Sequence, residues 1–520
     1  MVAAGLSVAV DTVPGMARIT VIGAGMGALA AAARLAVAGH RVVVYERAAT
    51  YGGSVGVVER DGFVFDMGPG LLPLPAVYRD LFVKTGKEPL EKCVDLVQVD
   101  PASHHLFADG TEVSLPNASR AGVVSALDTA LGAGAGERWG EFLVRAREAW
   151  DRTRRPLLEE PLWPNWQVLA ERDPYPPVKQ RRLLRTRVAT TLAEVGAGEL
   201  GDPRLAALLE SHALAYGLDP RVAPTAATVL PYMEHAFGTW YVRGGIRELA
   251  RAMYERCLAR RVEFHFDTAV ERIVEKDGRA AGLELADGTL VDADFVAAGL
   301  APGVLDRLTS GIALHGDGEV PPQRGLPSRL TVHLALRGGR AEGVAHRTVV
   351  HAADHEAELH ALFGDRPGRT AAPGSGVPAA PTVTVLRPGD PALVPDDDHE
   401  AVTLRVTVPS GLVPAEGDVE RVLTAAERAI PGLRERLLWH EVRTPADIAE
   451  ATGADGGAVP VPALAAAGGR LLHRANSTRL PGLFMVGGWA HPGGGLPHAG
   501  MSGALVAGLI VEGPDFQGSQ

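Results

Sequence analysis

The chain has 520 residues, 46% of them hydrophobic, and a formal net charge of -11. Length and apolar content suit a soluble globular protein of two or three domains' bulk, and there is no charge-free run of 18 apolar residues that would span a bilayer. The acidic balance argues against a nucleic-acid surface, and two distant cysteines, Cys93 and Cys257, exclude a disulfide framework or a cysteine metal cage, so a reducing, cytoplasmic setting is expected.

The residues before Met16 read as a disordered extension, without the basic region, apolar stretch and cleavage site of a secretory signal. The next stretch, "ARITVIGAGMGALAAAARLAVAGHRVVVYER", predicts a strand over 19–22, a turn through Gly23, Gly25 and Gly27, an Ala-rich helix up to Gly39, and a strand over 42–45 that ends at Glu46. In a dinucleotide site Gly23 makes the sharp turn, Gly25 admits the diphosphate to the backbone, and small Ala28 lets helix and strand pack closely. Glu46, at the tip of the second strand, is placed to accept hydrogen bonds from a ribose diol.

Downstream, "YGGSVGVVERDGFVFDMGPG" (51–70) brings a double glycine and a short hairpin, the device by which FAD-binding chains carry another backbone segment to the diphosphate and the flavin. An ordinary Gly/Asp hairpin is the alternative, and fixing it is the role expected of Asp66. A second spaced-glycine stretch, "LGAGAGERWG" (131–140), follows a helical segment, not a strand, and reads as a loop; NADPH thus has no second seat. The basic stretches "DRTRRP" (151–156) and "KQRRLLRTR" (179–187) read as solvated helix faces, with a membrane-surface patch as the alternative. Trp163 and Trp166 in "PLWPNW" are candidates for an apolar tunnel wall, a membrane contact or helix-end packing. A helix is predicted over 246–258, alternating strands in "SRLTVHLALRG" and "HEAVTLRVTVPSG", and a mobile Pro/Gly/Ala-rich loop over 364–381. Near the end, "FMVGGWAHPGGGLPHAGMSGALVAG" places six glycines, from Gly487 to Gly500, between a short strand and a helix, where backbone must approach something closely.

Together these segments resemble the bacterial and fungal type of phytoene (carotenoid) desaturase, within the FAD-dependent amine oxidase and desaturase superfamily. The resemblance runs through nearly the whole chain, and "HPGGGLP" and "TPADIAEATG" are specific to the desaturase branch. It implies an α/β fold: a Rossmann-like FAD-binding domain of the GR2 type assembled from residues 17–105, 231–300 and 441–512, with an inserted α+β substrate domain made of a helical part, 106–230, and a sheet, 301–440. It also implies that FAD meets Arg47, Gly53, Ser54, Gly68 and, through its adenine, Val270. The flavin ring would lie along Gly487, Gly488, Gly495 and Leu496, with a helix beginning near Met501 and Ser502 directed at its N1/C2=O edge. This chain departs from the pattern at Ser54, where a basic residue is usual, at Ala298-Gly299-Leu300 in place of Asn-Ala-Asp, and at Arg474-Ala475 in place of Arg-Pro.

A flavin needs few protein groups to dehydrogenate a carbon skeleton. Candidates are His491 and His498, which flank the triple glycine, as proton shuttles or polarising contacts, and Tyr241 and Arg243 as parts of the ring-side wall. No metal-ligand spacing is present. The expected activity is desaturation of a long apolar or polyene substrate, a carotenoid precursor or a polyketide-derived polyene, by hydride transfer to flavin N5, with oxygen or a quinone as electron acceptor. Redox-neutral polyene isomerisation and amine oxidation are the alternatives, the latter wanting an aromatic cage for which the C-terminal block offers only Trp489. A peripheral membrane contact is left open.

Overall fold

Two sheets of opposite surface chemistry organise the chain in the computed structural model, which describes all residues except 1–14, 163–165, 172, 179, 183–184, 316–325, 365–375, 467–468, 470 and 519–520. The expected N-terminal extension, Trp163, three residues of the 179–187 basic stretch and most of the loop over 364–381 therefore lie outside the described residues.

The first sheet is five-stranded and parallel. Strand β1 (Arg18–Ile22) is flanked by β2 (Arg41–Tyr45) and by Phe295–Ala298; Glu263–His265 pairs with β2, and Leu483–Met485 closes the other edge. Its central strands are buried on both faces, one against helices and the other against the antiparallel strands Val270–Lys276 and Arg279–Leu285 and the short helix Pro302–Leu308. Helix α1 (Met26–Val37) follows β1, buried along most of its length, and packs on the last helix, Leu496–Val511, through small residues. A Cβ on Gly503 would come 2.6 Å from that of Ala30, and one on Gly27 would come 2.6 Å from the Cα of Gly487. These contacts need glycine.

The last helix starts at Leu496, so the expected start near Met501 is corrected: Met501 lies in its second turn. Pro497 sits in the first turn, where a missing N–H costs nothing. The spaced-glycine stretch over 131–140 is a loop only through Gly134, because the next helix begins at Ala135.

The second sheet has seven strands in the order Leu437–Arg443, Pro327–Arg337, His399–Pro409, Val383–Leu386, Arg347–Val350, Ser103–Leu106 and Glu112–Leu115. The expected domain boundaries at 105/106 and 440/441 fall inside its strands. At its centre Pro327–Arg337 and His399–Pro409 pair antiparallel along their whole length. One face carries Leu330, Val332, Leu334, Val402, Leu404 and Val408 in an aliphatic core beneath the helix Glu416–Ala426. The other carries Arg329, Thr331, His333, Thr403, Arg405 and Thr407, by the period-two alternation of a strand. Between this polar face and the helices Pro203–Tyr216 and Val229–Phe237 lies the cavity described below.

Candidate functional site

The turn after β1 is built around backbone. Gly23 has φ +90° and its N–H donates to the carbonyl of Tyr45 at 2.8 Å, which ties the turn to the end of β2. Helix α1 opens at Gly25 with no side-chain cap, so the amides of its first turn are free to face a ligand, and no atom lies within 4 Å of where a Gly25 Cβ would sit. Glu46 accepts the Ala24 N–H at 2.7 Å through one carboxylate oxygen and the Ala48 N–H at 2.8 Å through the other. Ala28 is buried against Gly299, one of the positions that depart from the desaturase pattern.

The double glycine comes to the same place. Gly52 donates to the Ala24 carbonyl at 2.8 Å, and a Cβ on Gly53 would lie 3.0 Å from the Cα of Gly25. Ser54 is exposed beside it. The segment is held from behind by Arg247, which donates to the carbonyls of Tyr51 and Val55 and to Thr50, and whose guanidinium lies 4.0 Å above the Tyr51 ring. Gly68 packs on the Ser54–Val55 backbone. Asp66 accepts the Ile246 N–H at 3.0 Å on both oxygens; burial raises its carboxyl to about 6. Arg47 turns away and donates to the carbonyls of Glu450 and Ala451. Val270 opens the strand Val270–Lys276, just after the segment in which Thr268 N–H donates to the Glu46 carbonyl at 2.9 Å.

The final glycine loop leaves Leu483–Met485 and runs past this turn. The space next to Gly487 is open where a Cβ would project, whereas Gly488 and Gly494 press on Pro460. Gly495, at φ +109°, precedes Leu496 at the start of the last helix. Ser502 accepts the Gly487 N–H and the Asn476 amide, each at 3.0 Å, and Asn476 also donates to the carbonyls of Met485 and His491. Tyr78 donates to the Leu496 carbonyl at 2.7 Å. Sequence reasoning missed Asn476, Tyr78 and Arg247, and took Ser502 only as part of a helix start, since each acts on backbone outside its own segment and no local spacing marks it.

His491 and His498 are buried, and the Nδ1 of each lacks a hydrogen-bond partner among the described residues. His491 Nε2 lies 3.1 Å from the Glu160 carbonyl, which assigns its proton to Nε2. Burial lowers both imidazoles, to about 3 for His491 and about 4 for His498, so both are neutral at pH 7. Tyr241 is also buried, its hydroxyl donating to Asp390 at 2.7 Å, among Leu71, Val99 and Leu386. Arg243 is 52% exposed and pairs with Asp95 at 3.0 Å. Trp166 packs against the helical core.

The cavity, about 390 Å³, opens along Ser54, Gly68, Gly495 and Leu496 and extends under the second sheet. One cross-strand row lines it: Arg443, Thr331, Arg405, Thr384, Val349 and His105 occupy successive registers on six of the seven strands. Five strand spacings make that row roughly 24 Å long. Of the described lining residues only Tyr216 is a Phe, Tyr or Trp.

The sequence profile of the flavin-containing amine oxidoreductase family matches residues 29–338. The chain belongs to that family. It is an FAD-dependent oxidoreductase, and the open space at Gly25 and Gly487, the uncapped helix and the Glu46 carboxylate fit that cofactor. The chain is 29% identical over 95% of its length to a 4,4'-diapolycopene oxygenase of a Methylomonas species, 98% of which is covered. It is 27% identical over 96% of its length to the neurosporene-forming phytoene desaturase of Rhodobacter capsulatus, of which 95% is covered. Among solved structures, an oxidoreductase from Methanosarcina mazei has the same fold, with a TM-score of 0.62 at 18% identity over 94% of this chain and 99% of that one.

Proposed function

We propose that this flavoenzyme dehydrogenates an elongated polyene. The cavity carries this reading: it begins at the final glycine loop and follows one row of the sheet for roughly 24 Å, the shape of a seat for a long, thin molecule. The polyene chemistry named in the two relatives, each matched over nearly its full length, supports it.

In this assignment Gly23, Gly25, Gly27, Ala28 and Gly53 hold the diphosphate, Glu46 the ribose, and Gly487, Gly488, Gly495 and Leu496 the face of the ring. Bound FAD supplies a hydride acceptor. The chain's own part is to exclude water and align the substrate with the glycine loop. His491 and His498, neutral, buried and outside the described cavity lining, are hard to protonate and make poor proton shuttles. Tyr241, committed to Asp390, and Arg243, at the surface, stand outside the reacting site. Oxygen or a quinone would reoxidise the enzyme. A substrate drawn from lipid would require peripheral membrane contact, although among the described residues no helix is long and apolar enough to cross a membrane. An amine oxidase wants facing aromatic rings around its amine, and the lining offers Tyr216 alone.

The test is an anaerobic visible spectrum of the holoenzyme before and after addition of phytoene, other polyenes and simple amines. Bleaching of the oxidised-flavin band by a polyene is expected. Bleaching by an amine alone, or a polyene altered while the flavin stays oxidised, would replace the reading by amine oxidation or isomerisation.

A further inference from the structure

The floor of the cavity is unusual for a site that takes a hydrocarbon. Arg405 and Arg443 stand opposite Thr331 from either side, and Arg329 lies two residues before Thr331 on the same strand face, so three guanidiniums share one patch of sheet and one cavity. None forms an ion pair among the described residues. Arg329 donates to Thr407 and to the carbonyls of Ser328 and Ala215, and Arg405 to the carbonyls of Asp66 and Gly68. Arg443, only 9% exposed, has no hydrogen-bond partner for its buried Nε among the described residues.

The acids nearby are already engaged. Glu234 is gripped by Arg347 through both oxygens, and Glu358 accepts from the backbone and hydroxyl of Thr382. Asp66 is bound to Ile246, and Asp447 is held in the cap of its own helix by Thr444. The cavity lining thus carries four arginines, Arg347 included, against the two carboxylates Glu234 and Glu358, an excess of two positive charges, and outside the lining Asp66 and Asp447 offset part of the charge of Arg405 and Arg443. A hydrocarbon filling it would strip water from them and return nothing, and buried charge is tolerated when it is paired. A guanidinium fork with free donors matches a carboxylate.

We infer that the substrate ends in an anionic group of the carboxylate kind, seated on Arg443 with Arg405 and Arg329 beside it; this rests on the proposed polyene reading and narrows it from hydrocarbons to polyene acids. The diphosphate of the cofactor is the other anion within the site, but its seat is the turn after β1. Arg329 instead reaches toward the helical side, to Ala215 at the end of Pro203–Tyr216.

The test uses the holoenzyme and three probes of equal conjugation: all-trans-retinoic acid, its methyl ester and the corresponding hydrocarbon. Binding is read as perturbation of the oxidised-flavin spectrum at pH 7.5, independently of turnover. The acid is expected to bind about tenfold or more tighter than the ester, as loss of a charge-assisted contact implies. Arg443→Met should erase most of that preference while Arg443→Lys keeps part of it, both with wild-type flavin content. Equal binding of the three probes by the wild type overturns the inference, and does so without any variant that must fold. An Arg443→Met protein that loses flavin but keeps the preference overturns it too, moving Arg443 to the cofactor. Bleaching by the hydrocarbon with no preference for the acid leaves polyene dehydrogenation standing and removes only the anion site. Selective binding of the acid with no polyene ever reducing the flavin does the reverse.

Discussion

The two sheets solve different problems with the same alternation of residues. In the parallel sheet, side chains point into apolar helices on one face and into the strands Val270–Lys276 and Arg279–Leu285 on the other, and the candidate binding surface is what remains at the strand ends: free amides, glycine backbone and one carboxylate. In the mixed, mostly antiparallel second sheet one face is aliphatic, and the other presents Arg, Thr and His side chains directly to the cavity. In the proposed assignment a cofactor common to many enzymes is met by backbone, which tolerates little change, and a particular substrate by side chains, which vary freely once the strand pattern is kept.

Gly27→Val attacks the first region where it is tightest. Its Cβ would sit 2.6 Å from the Gly487 backbone, a contact that no rotamer relieves, and we expect loss of at least about 3 kcal/mol together with bound flavin, read by melting temperature and flavin absorbance per chain. Glu46→Gln removes a charge that holds two amides. FAD affinity should fall by tenfold or more, about 1.5–3 kcal/mol, in an equilibrium titration of the apoprotein, with the cavity's probe selectivity unchanged. If selectivity moved as well, the two regions would not be separable.

The buried histidines give a pH dependence with a definite sign. Both have folded values below the unfolded 6.5, so the unfolded chain binds more protons on acidification; their stabilisation is full above about pH 6.5 and is lost as pH falls toward 4. At pH 5 the loss is about 2 kcal/mol for His491, and His491→Asn should show a correspondingly smaller drop in melting temperature between pH 7 and pH 5 than the wild type. Arg243→Ala is the smallest change: an exposed ion pair is worth at most about 0.5–1 kcal/mol, and flavin bleaching by substrate should be unaltered. A large loss of turnover there would return Arg243 to the site.

Much of the cofactor region was legible because its signals are local. Gly23, Gly25, Ala28 and Glu46 lie within one strand, one turn and the next strand, where chain geometry alone dictates their relation. The start of the last helix was misjudged by five residues because the glycines up to Gly495 mask a first turn that Pro497 tolerates. Asn476, Tyr78 and Arg247 gave no signal, as their partners lie between 9 and 418 residues away in sequence.

By itself the sequence determined the turn after the first strand, the glycine-rich loop between a strand and the last helix, and the alternation of both central strands of the second sheet, because each is a property of a few neighbouring residues. Only the tertiary structure decided which face of that sheet points at the cavity, and that Arg329, Arg405 and Arg443, 76 and 38 residues apart in the chain, share it. Strand register and the packing of helices over one face set those choices, and both are made by contacts between distant segments that no local pattern encodes.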